Sequence, residues 1–258
     1  MTNGTQGQPA IVTNLKVPAP VVLVCEHAVN FIPNEFDGLG LTEDVRRSHV
    51  AWDPGAIEVA RHLSQILNAP LVHSGVSRLV YDCNRPPTAP DAMPAKSEIF
   101  DVPGNQNLTA DDHEARTQRY YEPFRKALAR TVKDAGTPVL VTIHSFTPTY
   151  MGRDRATDIG VLHDTDARLA DALLASAAAH SDMLVERNQP YGPQHGVTHT
   201  LKEHAVGTGL LNVMFELRND HLTTSSDQVA MAEMLARWLK DALITLETQS
   251  QQEASCQE

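Results

Sequence analysis

The chain is poor in the features that mark membrane, secreted and disulfide-stabilised proteins. Its three cysteines, Cys25, Cys83 and Cys256, are odd in number and lack the spacing of a disulfide framework or a zinc ribbon. No segment approaches the roughly 20 apolar residues that a membrane-spanning helix needs. Residues 1–16 are polar and lack the apolar core of a secretory signal, so we expect a cytoplasmic protein with no membrane partner.

Basic residues are also in deficit. Lys and Arg total 21 against 32 Asp and Glu, which gives a formal net charge of -11. This balance argues against a nucleic-acid partner, because such a partner requires a basic stripe on the surface. It does not argue against a small anionic substrate, since a few arginines can dominate the field inside a cleft.

The order of apolar segments predicts an α/β fold. Strands alternating with helices indicate a mostly parallel, mixed central sheet with helices on both faces. We expect one domain over residues 18–247, with the polar ends 1–17 and 248–258 disordered. Strands are predicted near 20–26, 71–72, 79–81, 138–143, 159–162, 183–185 and 210–217, and helices near 43–48, 56–67, 109–133, 167–179 and 226–246.

Three of the predicted strands end in side chains suited to a hydrolase site. Their apolar runs stop at His27, His144 and Glu216. In open α/β sheets, the site lies outside the carboxyl ends of the strands. Two histidines and a carboxylate at one edge suggest a metal hydrolase, with His27 and His144 as ligands, although each could also be a structural residue that caps a turn.

The carboxylates near these strand ends have competing interpretations. Asp53 precedes a predicted helix, where an N-cap is the simpler role and a third metal ligand the alternative. Glu26 points away from His27 in strand geometry, which favours a structural hydrogen bond. Glu216 would be a general base, the ion-pair partner of Arg218 two residues along the strand, or both.

Polar residues in two further segments are candidates for substrate binding. Arg78, Asn84 and Arg85 cluster around a short predicted strand, where arginine can hold a carboxylate through two parallel hydrogen bonds. The simpler alternative is a surface arginine paired with Asp82. His199 lies in the Gly-rich stretch 191–200, which we expect to be a mobile loop over the site.

Five motifs in succession resemble the N-formylglutamate amidohydrolase family over about residues 20–245. They are Cys-Glu-His-Ala-Val-Asn-Phe-Ile-Pro (25–33), Ala-Trp-Asp-Pro-Gly-Ala (51–56), Arg-Leu-Val-Tyr-Asp-Cys-Asn-Arg (78–85), Ile-His-Ser-Phe (143–146) and Phe-Glu-Leu-Arg-Asn-Asp (215–220). The resemblance implies a phosphorylase/hydrolase-like fold similar to the zinc-dependent exopeptidases. It also implies one divalent metal, most simply zinc, and the hydrolysis of N-formyl-L-glutamate to formate and glutamate, as in histidine degradation.

Residue roles follow from the same resemblance. His27 and His144 would be zinc ligands and Glu216 the general base. Exopeptidases of that fold place a glutamate three residues after the first histidine, but Asn30 stands there. The third ligand therefore shifts to Asp53, with Asn30 and Glu26 as alternatives.

The substrate contacts implied by the resemblance are mainly arginines. Asn84 and Arg85 would clamp the substrate carboxylate, with Arg78 and Arg218 as further anion contacts. Two other functions stay open: a zinc hydrolase for another N-acyl amino acid or a small peptide, and a non-catalytic protein that binds acidic amino acids. The second is disfavoured, because carboxylate binding alone does not require His27, His144 and Glu216.

Overall fold

Seven strands form one mixed sheet in the computed structural model, which describes residues 7–255 apart from the side chains of residues 253 and 254. In chain order the strands are β1 (Ile11–Thr13), β2 (Val21–Cys25), β3 (Leu71–His73), β4 (Lys96–Ser97), β5 (Phe100–Asp101), β6 (Val139–Phe146), β7 (Thr149–Tyr150), β8 (Arg153–Asp154), β9 (Ile159–Leu162), β10 (Val185–Arg187) and β11 (Asn212–Arg218). The sheet has the order β1-β3-β2-β6-β11-β9-β10, while β4–β5 and β7–β8 are separate hairpins.

The four central strands set the functional edge of the sheet. Strands β3, β2, β6 and β11 run parallel to one another, whereas β1, β9 and β10 run the opposite way. The carboxyl ends of β2, β6 and β11 therefore meet at the same edge. These strands are almost wholly buried, as expected for a sheet covered on both faces.

Helices cover both faces of the sheet. Within the described residues they are α1 (Glu43–Arg47), α2 (Ala56–Leu67), α3 (Ala110–Arg116), α4 (Glu122–Ala135), α5 (Arg168–His180), α6 (His199–His204) and α7 (Ser225–Ser255), with a π-helical turn, Thr117–Tyr121, between α3 and α4. Alternate strand residues pack against α2, α5 and α7 on one face. On the other face they pack against α4, α6 and the irregular segment 74–108. The predicted α/β class, with a mixed, mostly parallel sheet between helices, is confirmed.

Some boundaries differ from the sequence-based expectation. Leu79–Tyr81 lies in a turn rather than a strand, since Val80 donates to the Ser77 carbonyl. Short apolar runs do not distinguish a buried turn from a strand. Strand β1 comes from the polar N-terminal end and pairs with β3.

The two ends of the chain are only partly described. Helix α7 continues to Ser255, past the predicted end at residue 246. Residues 1–6 and 256–258 of the ends predicted to be disordered lie outside the described part of the chain. No helix in the described part is long and apolar enough to cross a membrane.

Candidate metal centre and active site

The edge of the sheet brings together the three side chains that the sequence pattern singled out. His144 in β6 and Glu216 in β11 are register partners, so they project from the same face. His27 lies in the turn that follows β2. All three are at least 95% buried and line a cleft of about 500 Å³.

Two ring nitrogens and one carboxylate oxygen converge in this cleft. The Nδ1 atoms of His27 and His144 are 3.1 Å apart, and Oδ2 of Asp53 lies 3.2 Å from the first and 2.9 Å from the second. Ligands about 2.0–2.1 Å from a tetrahedral zinc ion would be roughly 3.3 Å apart. The three residues could therefore hold a metal ion. The lone pairs of the two facing nitrogens would repel each other unless a proton or a metal cation lay between them.

Asp53 reaches the two histidines through the backbone of the turn before α2. Its N–H donates to the His27 carbonyl at 2.9 Å, and the Ser145 N–H donates to its carboxylate at 3.3 Å. The simpler N-cap prediction for Asp53 is wrong, because Gly55 occupies that position at φ +81°. A side chain at Gly55 would start 2.6 Å from Leu222.

The other two candidates for a third ligand lie outside this triangle. Asn30 donates to the carbonyl of Arg46 in helix α1 at 3.0 Å. Oε2 of Glu26 lies 3.0 Å from Nε2 of His144, on the far side of that ring, although the angles are not those of a good hydrogen bond. Glu26 thus supports His144 rather than joining the triangle.

A second buried carboxylate supports His27 in the same way. Oδ1 of Asp82 lies 2.7 Å from Nε2 of His27. A carboxylate accepts hydrogen bonds, so this partner favours the proton on Nε2 and directs the Nδ1 lone pair into the triangle. Arg78 donates to Asp82 at 2.9 Å and to Asp53 at 3.4 Å, which ties the two acids together.

The electrostatics of this cluster favour charged forms. Burial alone would raise the pKa of Asp53 and Asp82, but their histidine and arginine partners hold both values well below the usual range. Burial would lower the pKa of His144, yet the charges of Glu26 and Asp53 raise it well above normal. Each buried charge has a buried counter-charge, as such sites require.

Glu216 has the opposite environment. Its Oε2 is buried without a hydrogen-bond partner, and burial raises the pKa of its carboxyl to about 7. The predicted ion pair with Arg218 is wrong, because Arg218 bonds to Asp158 and Asp220 instead. Glu216 is thus free to exchange a proton near neutral pH.

Gly160, next to Glu216 in the sheet, allows the chain at Gln189 to pass close to the strand. It is the β9 residue paired with Glu216, and a Cβ there would lie 1.9 Å from the carbonyl oxygen of Gln189. Only a residue without a side chain allows the chain at Gln189 to cross so closely. The residues that follow, Pro190 and Tyr191, line the cleft.

The predicted substrate clamp is only partly available. Arg78, Asn84 and Arg85 all line the cleft. However, the Asn84 amide donates to the Val197 carbonyl at 2.6 Å and accepts from the Thr200 N–H at 3.0 Å. Both of its polar atoms hold the 191–200 segment with one hydrogen bond each, and its assignment as a carboxylate contact stays a prediction.

Arg85 is also largely engaged with the protein. Its Nε donates to Asp91 at 2.7 Å, and its Nη1 donates to the Gly196 carbonyl at 3.1 Å. It anchors the same segment as Asn84 while its side chain still borders the cleft. Its assignment as a carboxylate contact stays a prediction.

Two of the predicted substrate contacts lie outside the cleft. Arg218 is turned toward Asp158, Asp220 and the carbonyls of residues 155–157. His199 begins helix α6 and bonds to the Tyr121 hydroxyl at 2.8 Å. Neither borders the cleft, because each is held by partners elsewhere in the fold.

Several residues that line the cleft are not predicted as site residues by the sequence patterns. Arg155 follows the β7–β8 hairpin, and Tyr191 comes from the crossing segment. His49 and Glu98 face one another with Nε2 and Oε2 3.0 Å apart. All four come from irregular segments, where strand-end patterns give no signal.

Comparisons with known proteins agree with this architecture. A model of the N-formylglutamate amidohydrolase family matches residues 19–223. The crystal structure of a gene product from Agrobacterium tumefaciens is 51% identical, with a TM-score of 0.90, over 93% of this chain and 97% of that one. An N-formylglutamate amidohydrolase from Ralstonia eutropha shares the fold, at 19% identity and a TM-score of 0.61, over 92% of this chain and 99% of that one.

A search among curated proteins found no significant match. The family match covers most of the sheet and all the residues of the triangle and its supporting acids. It also includes Glu216 and every residue that lines the cleft. The chain belongs to the N-formylglutamate amidohydrolase family.

Proposed function

We propose that the protein is a metal-dependent amidohydrolase that cleaves the acyl–nitrogen bond of a small anionic N-acyl amino acid. N-Formyl-L-glutamate is the first substrate to test, with formate and glutamate as products. The observation that carries the proposal is the triangle of His27, His144 and Asp53 beside the unpaired carboxylate of Glu216. Family membership supports hydrolase chemistry.

Zinc is the ion that we propose for the triangle. Two imidazoles and one carboxylate are a common ligand set of catalytic zinc sites. Iron, manganese and cobalt also accept these ligands, so elemental analysis of the purified protein is needed to identify the ion. When bound, it would supply Lewis acidity that polarises the amide carbonyl and acidifies a nearby water.

The residues of the chain have separate roles in this scheme. Glu216 accepts a proton from the attacking water, whose oxygen bonds to the acyl carbon. It then returns that proton to the amide nitrogen as the carbon–nitrogen bond breaks. A pKa near 7 suits both transfers, since a general acid–base group is most effective when its pKa is close to the working pH.

The supporting carboxylates position the imidazoles during the reaction. Asp82 and Glu26 contact the outer nitrogens of His27 and His144, so neither ring needs to reorient when substrate arrives. Arg78 links Asp82 to Asp53 and keeps the acids in place. This framework leaves the protein dipoles preorganised around the reacting amide.

A second candidate keeps the reaction but changes the acyl group. A cleft of about 500 Å³ is in the range that accommodates drug-sized ligands, so its volume alone does not restrict the acyl group to formyl. A panel of N-acetyl, N-propionyl and N-formyl derivatives of glutamate and glutamine would distinguish these substrates. A non-catalytic carboxylate-binding protein would bind members of that panel without turnover.

The central test combines metal analysis with formate release. We expect near-stoichiometric metal in the purified protein and release of formate from N-formyl-L-glutamate. Glu216→Gln should retain the metal and lower kcat by about 10²–10⁴-fold, as when a general base is removed. Unchanged turnover in that variant would exclude Glu216 as the base, and the absence of metal and of turnover after zinc addition would contradict the proposed function.

A further inference from the structure

The arginines of the cleft differ in whether they already have an acidic partner. Arg78 is paired with Asp53 and Asp82, and Arg85 is paired with Asp91. Arg155 also lines the cleft, yet none of the described side chains places a carboxylate within 4.0 Å of it. Its guanidinium makes a long hydrogen bond, 3.5 Å from Nη1 to the carbonyl of Thr147.

Aromatic rings hold the Arg155 guanidinium in place of a counter-ion. Its Cζ lies 4.5 Å from the ring centre of Tyr150, 4.8 Å from that of Tyr191 and 5.5 Å from that of Phe146. Cation–π contacts attract the charge through the faces of the rings and leave the N–H edge available for bidentate hydrogen bonds. The side chain is thus positioned without being neutralised.

The backbone also fixes Arg155 at the wall of the cleft that holds the triangle. It follows the β7–β8 hairpin, which begins just beyond β6, and its N–H donates to the Pro148 carbonyl at 2.8 Å. The ring of Tyr191 lies against Arg155, and Tyr191 lines the same cleft as Glu216 and Arg78.

We propose that Arg155 is the residue that receives a carboxylate of the N-acyl amino acid substrate. An unpaired guanidinium in a concave site is the strongest carboxylate receptor that the cleft offers. Arg155 then sets specificity for anionic substrates, whereas Arg78 and Arg85 maintain the site. This inference rests on the proposed function, and it names the group that selects the substrate.

The test measures binding separately from turnover. Calorimetry on the Glu216→Gln protein would use N-formyl-L-glutamate, its side-chain amide and its α-amide. We expect Arg155→Gln to weaken binding of the diacid about 10- to 100-fold. Binding of the amide that lacks the carboxylate held by Arg155 should not change, which identifies that carboxylate as the α or the side-chain group.

Matched variants separate recognition from folding. Arg153→Gln, on the same hairpin but exposed and outside the cleft, should leave all three affinities unchanged. Arg155→Lys should restore part of the loss, because lysine keeps the charge but not the fork. Circular dichroism and melting temperatures would show that each variant is folded.

The outcomes distinguish this inference from the proposed reaction. A change of less than about threefold for the diacid would overturn it, as would equal weakening of all three compounds or no binding of the diacid with Arg155 present. In protein that keeps Glu216, an unchanged kcat/KM for N-formyl-L-glutamate in the Arg155→Gln variant would overturn the inference and leave the proposed reaction intact. Arg155-dependent binding without formate release would support the inference and contradict the reaction.

Discussion

Two sets of cleft residues, which we call the paired side and the unpaired side, differ in how their charges are partnered. On the paired side, His27, His144 and Asp53 are enclosed by two further acids and Arg78, so every buried charge faces an opposite one. On the unpaired side, Glu216 and Arg155 have no ionic partner in the described part of the chain. The charges of the first set are already paired within the protein, whereas Glu216 and Arg155 can interact with a ligand.

The carboxylates of the two sides show what this difference does chemically. Asp53 is buried, but its histidine partners keep it ionised at any physiological pH, as a metal ligand must be. Glu216 is equally buried, and burial together with the nearby charge of Asp53 raises its pKa to about 7. When two acids in one site have pKa values this different, the acid that stays ionised has a structural role and the other can transfer protons.

Breaking the paired side should have the largest effect. His144→Ala removes one side chain of the triangle and leaves Glu26 and Asp53 without their shared counter-charge. We expect metal content to fall below a tenth of the value for the unmodified protein, with turnover lost to the detection limit. Stability should also fall by about 3–5 kcal/mol, as when one partner of a buried ion pair is removed.

Elemental analysis and a denaturant titration would check this expectation. His199→Ala is the matched control, because His199 is a histidine that the structure places outside the cleft. It should keep its metal. Stoichiometric metal in folded His144→Ala protein would remove His144 from the ligand set.

Weakening the support of the triangle should have an intermediate effect. Asp82→Asn keeps the shape of the side chain but removes the charge that holds His27. We expect about a 10- to 100-fold loss of metal affinity, the usual range for partners of ligating histidines. Competition with a chelator would measure it, with Asp91→Asn as a control that neutralises the partner of Arg85 instead. Equal affinities in the two variants would contradict the supporting role of Asp82.

The same contrast explains which parts were predictable from sequence. The sequence predicts the central strands because burial on both faces demands continuous apolar runs, and it indicates His27, His144 and Glu216 because they end those runs. Asp53 was ambiguous, because a turn before a helix suits a cap as well as a ligand. The structure places its carboxylate between two histidines that are distant in sequence.

The unpaired side was harder to predict. Whether an arginine is free depends on every acid that the fold brings within reach, which local sequence does not contain. The sequence suggests Arg218 as a contact for the substrate anion, but the structure pairs it with Asp158, an acid far away along the chain. Arg155 had no pattern around it, and its position depends on rings from three separate segments. Long-range packing, rather than local propensity, decides such roles.

A change of stability with pH gives the last test of the comparison, and it does not involve the metal. The folded-state pKa of Glu216, about 7, lies above its ordinary value of 4.5. The folded protein therefore binds more protons than the unfolded chain between these values, and stability declines as pH rises through that window. In metal-free protein, Glu216→Gln should be more stable than the parent above pH 7, by at most about 3 kcal/mol, and similar to it below pH 4.5.

Glu26→Gln makes the same chemical change on the paired side, where the sign reverses. Burial would raise the pKa of Glu26, but the charge of His144 lowers it below the usual value. That carboxylate contributes stability above the unfolded pKa and loses it as pH falls through the folded one. Its replacement should therefore destabilise the metal-free protein at pH 8. Thermal melts of both variants at pH 5 and pH 8 would measure the difference, and shifts of the same sign at pH 8 would show that partnering does not distinguish the two sides.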